Sequence, residues 1–122
     1  MVLLLDRDDD FRSALAEHLR DDGYAVGTFA RPSDLPPLAT LERLTMLILD
    51  HQLEGESGLA FADRFHASHP AVPVVMVTSY TSNYLAAEAA RRDYLILRRK
   101  PIDYEELARL LPGAGCSLLG QR

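Results

Sequence analysis

Four short, unbroken apolar runs set the architecture of this chain: Val2-Leu3-Leu4-Leu5, Met46-Leu47-Ile48-Leu49, Val74-Val75-Met76-Val77 and Tyr94-Leu95-Ile96-Leu97. A strand with one face in water alternates apolar and polar residues. A run that is apolar at every position belongs to a strand covered on both faces, as in parallel sheets. Each run also leads into a polar residue. Asp6 closes the first, Asp50 the second and Thr78 the third, and Lys100-Pro101 follows the fourth. Ligands of open parallel sheets bind at the C-terminal ends of the strands. Two acids, a hydroxyl and an amine at four such ends therefore mark a candidate site. His51, beside Asp50, is expected to point away from it, as neighbours in a strand do.

The segments between the runs read as helices. Phe11, Ala14, Leu15 and Leu19 recur at helical spacing, with Asp10 as the expected N-cap and Gly23 as the stop. Tyr24 to Phe29 reads as a further strand. Pro32 to Leu44 is a weak helix, interrupted by Pro36 and Pro37. Leu59, Phe61, Ala62 and Phe65 mark the next helix, capped near Ser57 and ended by Pro70. Leu85 to Arg92 is an Ala-rich helix. Asp103 opens a last one, Tyr104 to Leu111, and Pro112-Gly113 stops it. Five strands alternating with five helices predict an α/β fold: a doubly wound parallel sheet with right-handed crossovers. Where the winding direction reverses, such a sheet has a cleft. If the first and third strands flank that reversal, Asp6 and Asp50 meet there.

Length and composition narrow the function. The chain has 122 residues, enough for one compact domain. Its net charge of −5 argues against direct nucleic-acid binding, and its basic residues fall in short clusters at Arg91-Arg92 and Arg98-Arg99-Lys100. No apolar run approaches a membrane span. The single Cys116 excludes an internal disulfide and suits a reducing compartment. These features predict a cytoplasmic domain over residues 1–111, with residues 112–122 as a tail or linker stub.

The motifs at the strand ends resemble the receiver domain of bacterial two-component response regulators. Leu4-Leu5-Asp6-Arg7-Asp8-Asp9-Asp10-Phe11 is similar to the family's acidic cluster after the first strand. Leu49-Asp50 and the loop to Ser57-Gly58 are similar to its phosphoacceptor strand and loop. Val77-Thr78-Ser79 resembles its hydroxyl site and Lys100-Pro101 its Lys-Pro pair. The resemblance implies a flavodoxin-like sheet of order 2-1-3-4-5. It implies Asp50 as phosphoacceptor, Thr78 as hydrogen-bond donor to the phosphoryl group and Lys100 as its ion-pair partner. It further implies a Mg2+ site built from Asp6, Asp50 and the Gln52 backbone carbonyl. The implied partners are a histidine kinase or phosphotransfer protein and an output domain or partner protein. The implied output surface is the face of the fourth helix, fifth strand and fifth helix, where two copies of the chain could pair. Such a domain is a signalling switch and not an enzyme in the turnover sense.

The chain departs from the family pattern at Arg7 and Leu97, and also at Glu54, in place of a common proline, and at Arg92-Asp93-Tyr94, in place of a small Gly-containing turn. Arg7 stands where the family has a second acid that ligates the metal directly, and its guanidinium is placed to reach Asp50 as a fixed positive charge. Asp8 substitutes as a metal ligand only if the loop shifts. Leu97 stands where the family has a switch aromatic. These departures keep open an alternative from another class: a pseudo-receiver, an interaction module that works without phosphorylation. A phosphohydrolase with Asp50 as nucleophile needs a second acid two residues on, where this chain has Gln52.

Overall fold

The computed structural model describes residues 1–80 and 82–112. It contains a five-stranded sheet, β1 (Val2–Leu5), β2 (Val26–Phe29), β3 (Met46–Leu49), β4 (Val74–Thr78) and β5 (Leu95–Arg99), in the order β2-β1-β3-β4-β5. All neighbouring strands pair in parallel. Four α-helices connect them: α1 (Asp9–Asp21), α2 (Gly58–Ser68), α3 (Asn83–Ala90) and α4 (Tyr104–Ala108). None of these helices is long and apolar enough to cross a membrane. The expected tail, residues 112–122, lies outside the described residues from position 113 on.

Alternation explains the continuous apolar runs. Leu3, Leu5, Leu47, Leu49, Val74 and Met76 pack on one face of the sheet with Phe61 and Phe65 of α2 and Leu85 of α3. Val2, Leu4, Met46, Ile48, Val75 and Val77 pack on the other with Leu15 and Leu19 of α1 and Leu107 of α4. Successive strand residues point to opposite faces, and here both faces are core.

Four helices are present among the described residues where five were expected. The segment between β2 and β3 forms two 3-10 turns, Pro32–Asp34 and Leu38–Thr40. Pro36 and Pro37 supply no backbone N–H and push the preceding residue out of the helical region. Leu35 accordingly sits at φ −78° and ψ 147°. Leu35, Leu38, Leu41 and Leu44 still pack against the α2/α3 face, so the segment buries its apolar side chains without a helix. The last helix stops at Ala108, and Leu110 and Leu111 continue it as tighter turns.

The cap of α1 is Asp8, not the expected Asp10. Asp8 is extended, and its carboxylate accepts the Phe11 N–H at 3.1 Å. Asp9 and Asp10 then fall in the first turn, where negative charge favours the helix dipole. Ser57 and Ser82 cap α2 and α3 in the same way, accepting from Ala60 and Leu85.

The first residue of α2 sets the loop after β3. A Cβ on Gly58 would overlap the Asp50 carbonyl oxygen and stand 2.7 Å from the His51 Cα. Backbone atoms cannot yield as a side-chain tip can, so α2 approaches β3 this closely only through glycine. Gly58→Ala should therefore cost ~2 kcal/mol of stability, read as a lower urea midpoint. An unchanged midpoint would mean that α2 shifts away freely.

Candidate functional site

Register brings the strand-end residues to one place. Leu5 pairs with Leu49, so Asp6 and Asp50 leave adjacent strands at the same level. Thr78 pairs with Arg99, and the next N–H, that of Lys100, donates to the Thr78 carbonyl at 2.9 Å. Among the described residues, Asp6, Asp50 and Thr78 are the buried polar or charged ones, at 1%, 8% and 1% exposure.

Lys100 joins the two acids. Its Nζ lies 2.9 Å from Asp6 Oδ2 and 3.1 Å from Asp50 Oδ2. The ammonium also sits 4.3 Å from the centre of the Phe11 ring, a cation–π contact. The remaining carboxylate oxygens take backbone donors. Asp6 Oδ1 accepts the Asp8 N–H at 2.9 Å, and Asp50 Oδ1 accepts the Gln52 N–H at 3.2 Å. The loop from Asp50 turns through Gly55 at φ +94° and closes with a Gln52–Ser57 bridge.

The two acids differ in ionisation. Burial raises the Asp6 pKa, and the Asp8 N–H and Lys100 only partly offset it, while Asp50 adds repulsion. Burial acts on Asp50 in the same direction, but hydrogen bonds from the Thr78 hydroxyl, the Gln52 N–H and Lys100 outweigh it, so its pKa falls below the ordinary carboxylate value. Burial lowers the Lys100 pKa, and the two carboxylates reverse that and hold it above the ordinary lysine value. Asp50 is thus the more exposed acid and the more firmly ionised one.

Arg7 does not reach Asp50. Its side chain is exposed and makes no ion pair or hydrogen bond among the described residues. Asp6 turns inward at the end of β1 and Asp8 must cap α1, which leaves the intervening side chain facing water. The cation that meets Asp50 is Lys100. Asp8 is committed to its cap and is also exposed. Leu97 is half-buried and borders a hollow of about 200 Å³ shared with Thr78, Tyr80, Ser82, Leu85 and Ala86.

Several residues at the site were not legible as functional. Phe11 reads as core from its helical spacing, yet its ring also faces the Lys100 ammonium. Arg12 donates to the Asp6 carbonyl and pairs with Asp9, holding the turn between β1 and α1. Tyr80 stacks on His51, with ring centres 5.1 Å apart at 24°. His51 was expected to point away from the site. It is half-buried beside Asp50, its Nδ1 has no hydrogen-bond partner among the described residues, and burial lowers its pKa against the pull of Asp50.

The chain matches the response regulator receiver domain family over residues 2–111. It belongs to that family. A response regulator from Burkholderia pseudomallei, solved with a phosphorylated aspartic acid, calcium ion and citrate, is 26% identical to this receiver. The two superpose with a TM-score of 0.78, covering 98% of this chain and 71% of that one. The DNA-binding transcriptional regulator NtrC of Klebsiella pneumoniae is 25% identical over 111 residues, 91% of this receiver and 24% of the regulator. The phosphoglycerate transport system transcriptional regulatory protein PgtA of Salmonella typhimurium is 25% identical over 113 residues, 93% of this receiver and 27% of that protein. The receiver thus spans about a quarter of the length of these curated relatives. Receiver domains are typically signalling modules without enzymatic turnover, working between histidine kinases and output domains.

Proposed function

We propose that this receiver accepts a phosphoryl group on Asp50 from a phosphohistidine of a histidine kinase or phosphotransfer protein. The observation that carries the reading is the state of Asp50: ionised, at the site mouth, bonded to Lys100 and faced by the Thr78 hydroxyl. An Asp50 oxygen attacks phosphorus, the P–N bond breaks, and the imidazole leaves with the electron pair and takes a proton. Negative charge builds on the phosphoryl oxygens during transfer. Lys100 is placed to offset it, and Thr78 to donate a hydrogen bond to one oxygen.

Magnesium fits this donor set as a weak ligand. The ion is content with one or two carboxylates and retained water, and Asp6 and Asp50 supply the carboxylates. The Gln52 backbone carbonyl would complete the set. Among the described residues no three His, Cys, Asp or Glu side chains converge, because Arg7 stands where a third acid would. When bound, the ion supplies positive charge to the phosphoryl oxygens.

Acetyl phosphate with magnesium, followed by intact mass, tests the proposal. One hydroxylamine-labile phosphoryl adduct is expected. No adduct favours the pseudo-receiver reading, which draws on one specific observation: Lys100 already neutralises both acids without a bound cation.

Arg7 is expected to weaken metal binding through its charge alone. Replacing the exposed cation next to Asp6 by a carboxylate removes long-range repulsion and adds attraction for a divalent ion, so Arg7→Asp should bind magnesium about tenfold more tightly. Titration calorimetry reads this directly. Equal or weaker binding in Arg7→Asp would show that the Arg7 charge is screened from the site.

The output surface we favour is the face of α3, β5 and α4. Several of its arginines are already paired within the chain. Arg98 meets Glu106 at 3.2 Å, Arg91 meets Glu88 at 3.3 Å, and Arg92 holds Asp63 of α2 at 2.8 Å. Exposed Arg99 and Tyr84 remain for an output domain or a second copy of the chain.

A further inference from the structure

We propose that Phe11 is a positioning residue for phosphoryl transfer: its ring holds the Lys100 ammonium between Asp6 and Asp50, where the incoming phosphoryl group must meet it. The inference rests on the phosphoacceptor reading above.

Lys100 is the chain's only lysine. An ammonium carries three N–H donors. Two carboxylate oxygens meet it, Asp6 Oδ2 at 2.9 Å and Asp50 Oδ2 at 3.1 Å, and among the described residues no third oxygen does. The Phe11 ring, with its centre 4.3 Å from Nζ, covers the ammonium in place of a third acceptor. Only 13% of the Lys100 side chain is exposed, and an aromatic face attracts a cation more strongly as water is excluded. The ring is itself anchored to the site. Asp6 Oδ1 accepts the Asp8 N–H, and Asp8 Oδ1 accepts the Phe11 N–H at the start of α1. Asp6, Asp8, Phe11 and Lys100 thus close a loop of contacts that returns to the Asp6 carboxylate.

Transfer makes this hold necessary. A lysine carries a compact point charge at the end of a flexible stem. Arg7 faces water, so the cation fixed at the acids is Lys100. When Asp50 takes a phosphoryl group, its carboxylate charge is lost and negative charge gathers on the phosphoryl oxygens. Nζ must then exchange one acceptor for another without leaving the site. Asp6 and the ring hold it while it does so. A leucine at position 11 would pack against the same core, which includes Leu15 and Leu107, but would offer the ammonium no negative face. The ring also works against magnesium, because a cation held at both carboxylates repels a second one.

NMR of the chain with isotope-labelled lysine tests the idea, because Lys100 then gives the one labelled Cε signal. In the parent the two Cε protons should resonate apart, since the ring holds the stem in one orientation. In Phe11→Leu and Phe11→Met, which keep an apolar residue on α1, they should merge. At saturating magnesium, acetyl phosphate should load either variant about fivefold more slowly than the parent, the size expected of one cation–π contact. Titration calorimetry should show magnesium binding each about threefold more tightly, which a mere loss of packing would not bring about. Phe11→Tyr should restore the parent's values. Cε protons that stay apart in both ringless variants overturn the inference and leave the phosphoacceptor reading standing. So does a merged signal with an unchanged loading rate, or magnesium binding no tighter than the parent's, or a Phe11→Tyr that behaves like Phe11→Leu. No loading of the parent defeats the phosphoacceptor reading, and the positioning role falls with it.

Discussion

Asp50→Asn will take up no phosphoryl group from acetyl phosphate under conditions that load the parent chain. The loss is expected to be complete because the neighbouring acid is a poor substitute. Asp6 is 1% exposed against 8% for Asp50, so a phosphodonor reaches it less easily. Burial also raises the Asp6 pKa, whereas the hydrogen bonds around Asp50 lower the Asp50 value below the ordinary one. A carboxylate must be ionised and reachable to act as nucleophile. The Asp6 Oδ1 is held by the Asp8 N–H, which ties it to the helix cap. An amide at position 50 keeps the shape and the acceptor for the Gln52 N–H, so the fold should persist. Peptide mapping after hydroxylamine treatment locates any adduct. A phosphoryl group on Asp6 in the variant, or labelling at the parent's level, would remove Asp50 from the role proposed for it.

The parallel sheet was legible because burial on both faces forces an apolar residue at every strand position. That requirement left the runs ending at Asp6, Asp50 and Thr78 with no ambiguity of period. The order of strands came from the resemblance to receiver domains, because right-handed crossovers alone are compatible with several orders. The helix expected between β2 and β3 failed for a local reason: Pro36 and Pro37 forbid it, and the four leucines around them pack half-buried against the core without it. The N-cap moved from Asp10 to Asp8 because several acids in a row all satisfy the sequence signal for a cap. Only the extended backbone of Asp8 distinguishes it.

The site was legible in part for a similar reason. Strand-end position and register bring Asp6, Asp50 and Lys100 together, and both are fixed by the sheet. Long flexible side chains escape this logic. Arg7 was expected at Asp50 on charge alone, and the position beside an inward Asp6 sends it to water. Tyr80 and His51 meet across two loops, and nothing in their spacing announces the stack. Phe11 shows the same limit, since its helical period explains a core residue completely and says nothing about an ammonium over its ring.

Removing the lysine is expected to have the largest effect on stability. Lys100→Ala leaves Asp6 and Asp50 buried together with no cation between them. Taking one partner from a buried ion pair costs about 3 kcal/mol or more, because the other charge stays desolvated. The variant should therefore be destabilised by ~3 kcal/mol at pH 7 in chelator, and the Phe11 ring is left without the ammonium that sits against it in the parent. The pH dependence gives the cause. Lys100 lowers the pKa of both acids, so its removal raises both. The folded variant then binds protons at pH values where the unfolded chain, with carboxylate pKa near ~4, does not. Stability falls with rising pH wherever the folded state holds more protons. The deficit should be largest at neutral pH and should shrink on acidification through the raised folded pKa values toward that unfolded value. In the parent, the lowered Asp50 pKa acts oppositely: its contribution is present above the unfolded value and is lost as pH falls through the folded one. Magnesium should stabilise Lys100→Ala more than the parent, since a divalent ion meets two acids that lack any other countercharge. Urea midpoints at pH 7 and pH 5, with chelator and with magnesium, separate these effects. A variant that unfolds at the parent's midpoint at pH 7 in chelator would show that water reaches both acids, and that Lys100 does not hold the site together.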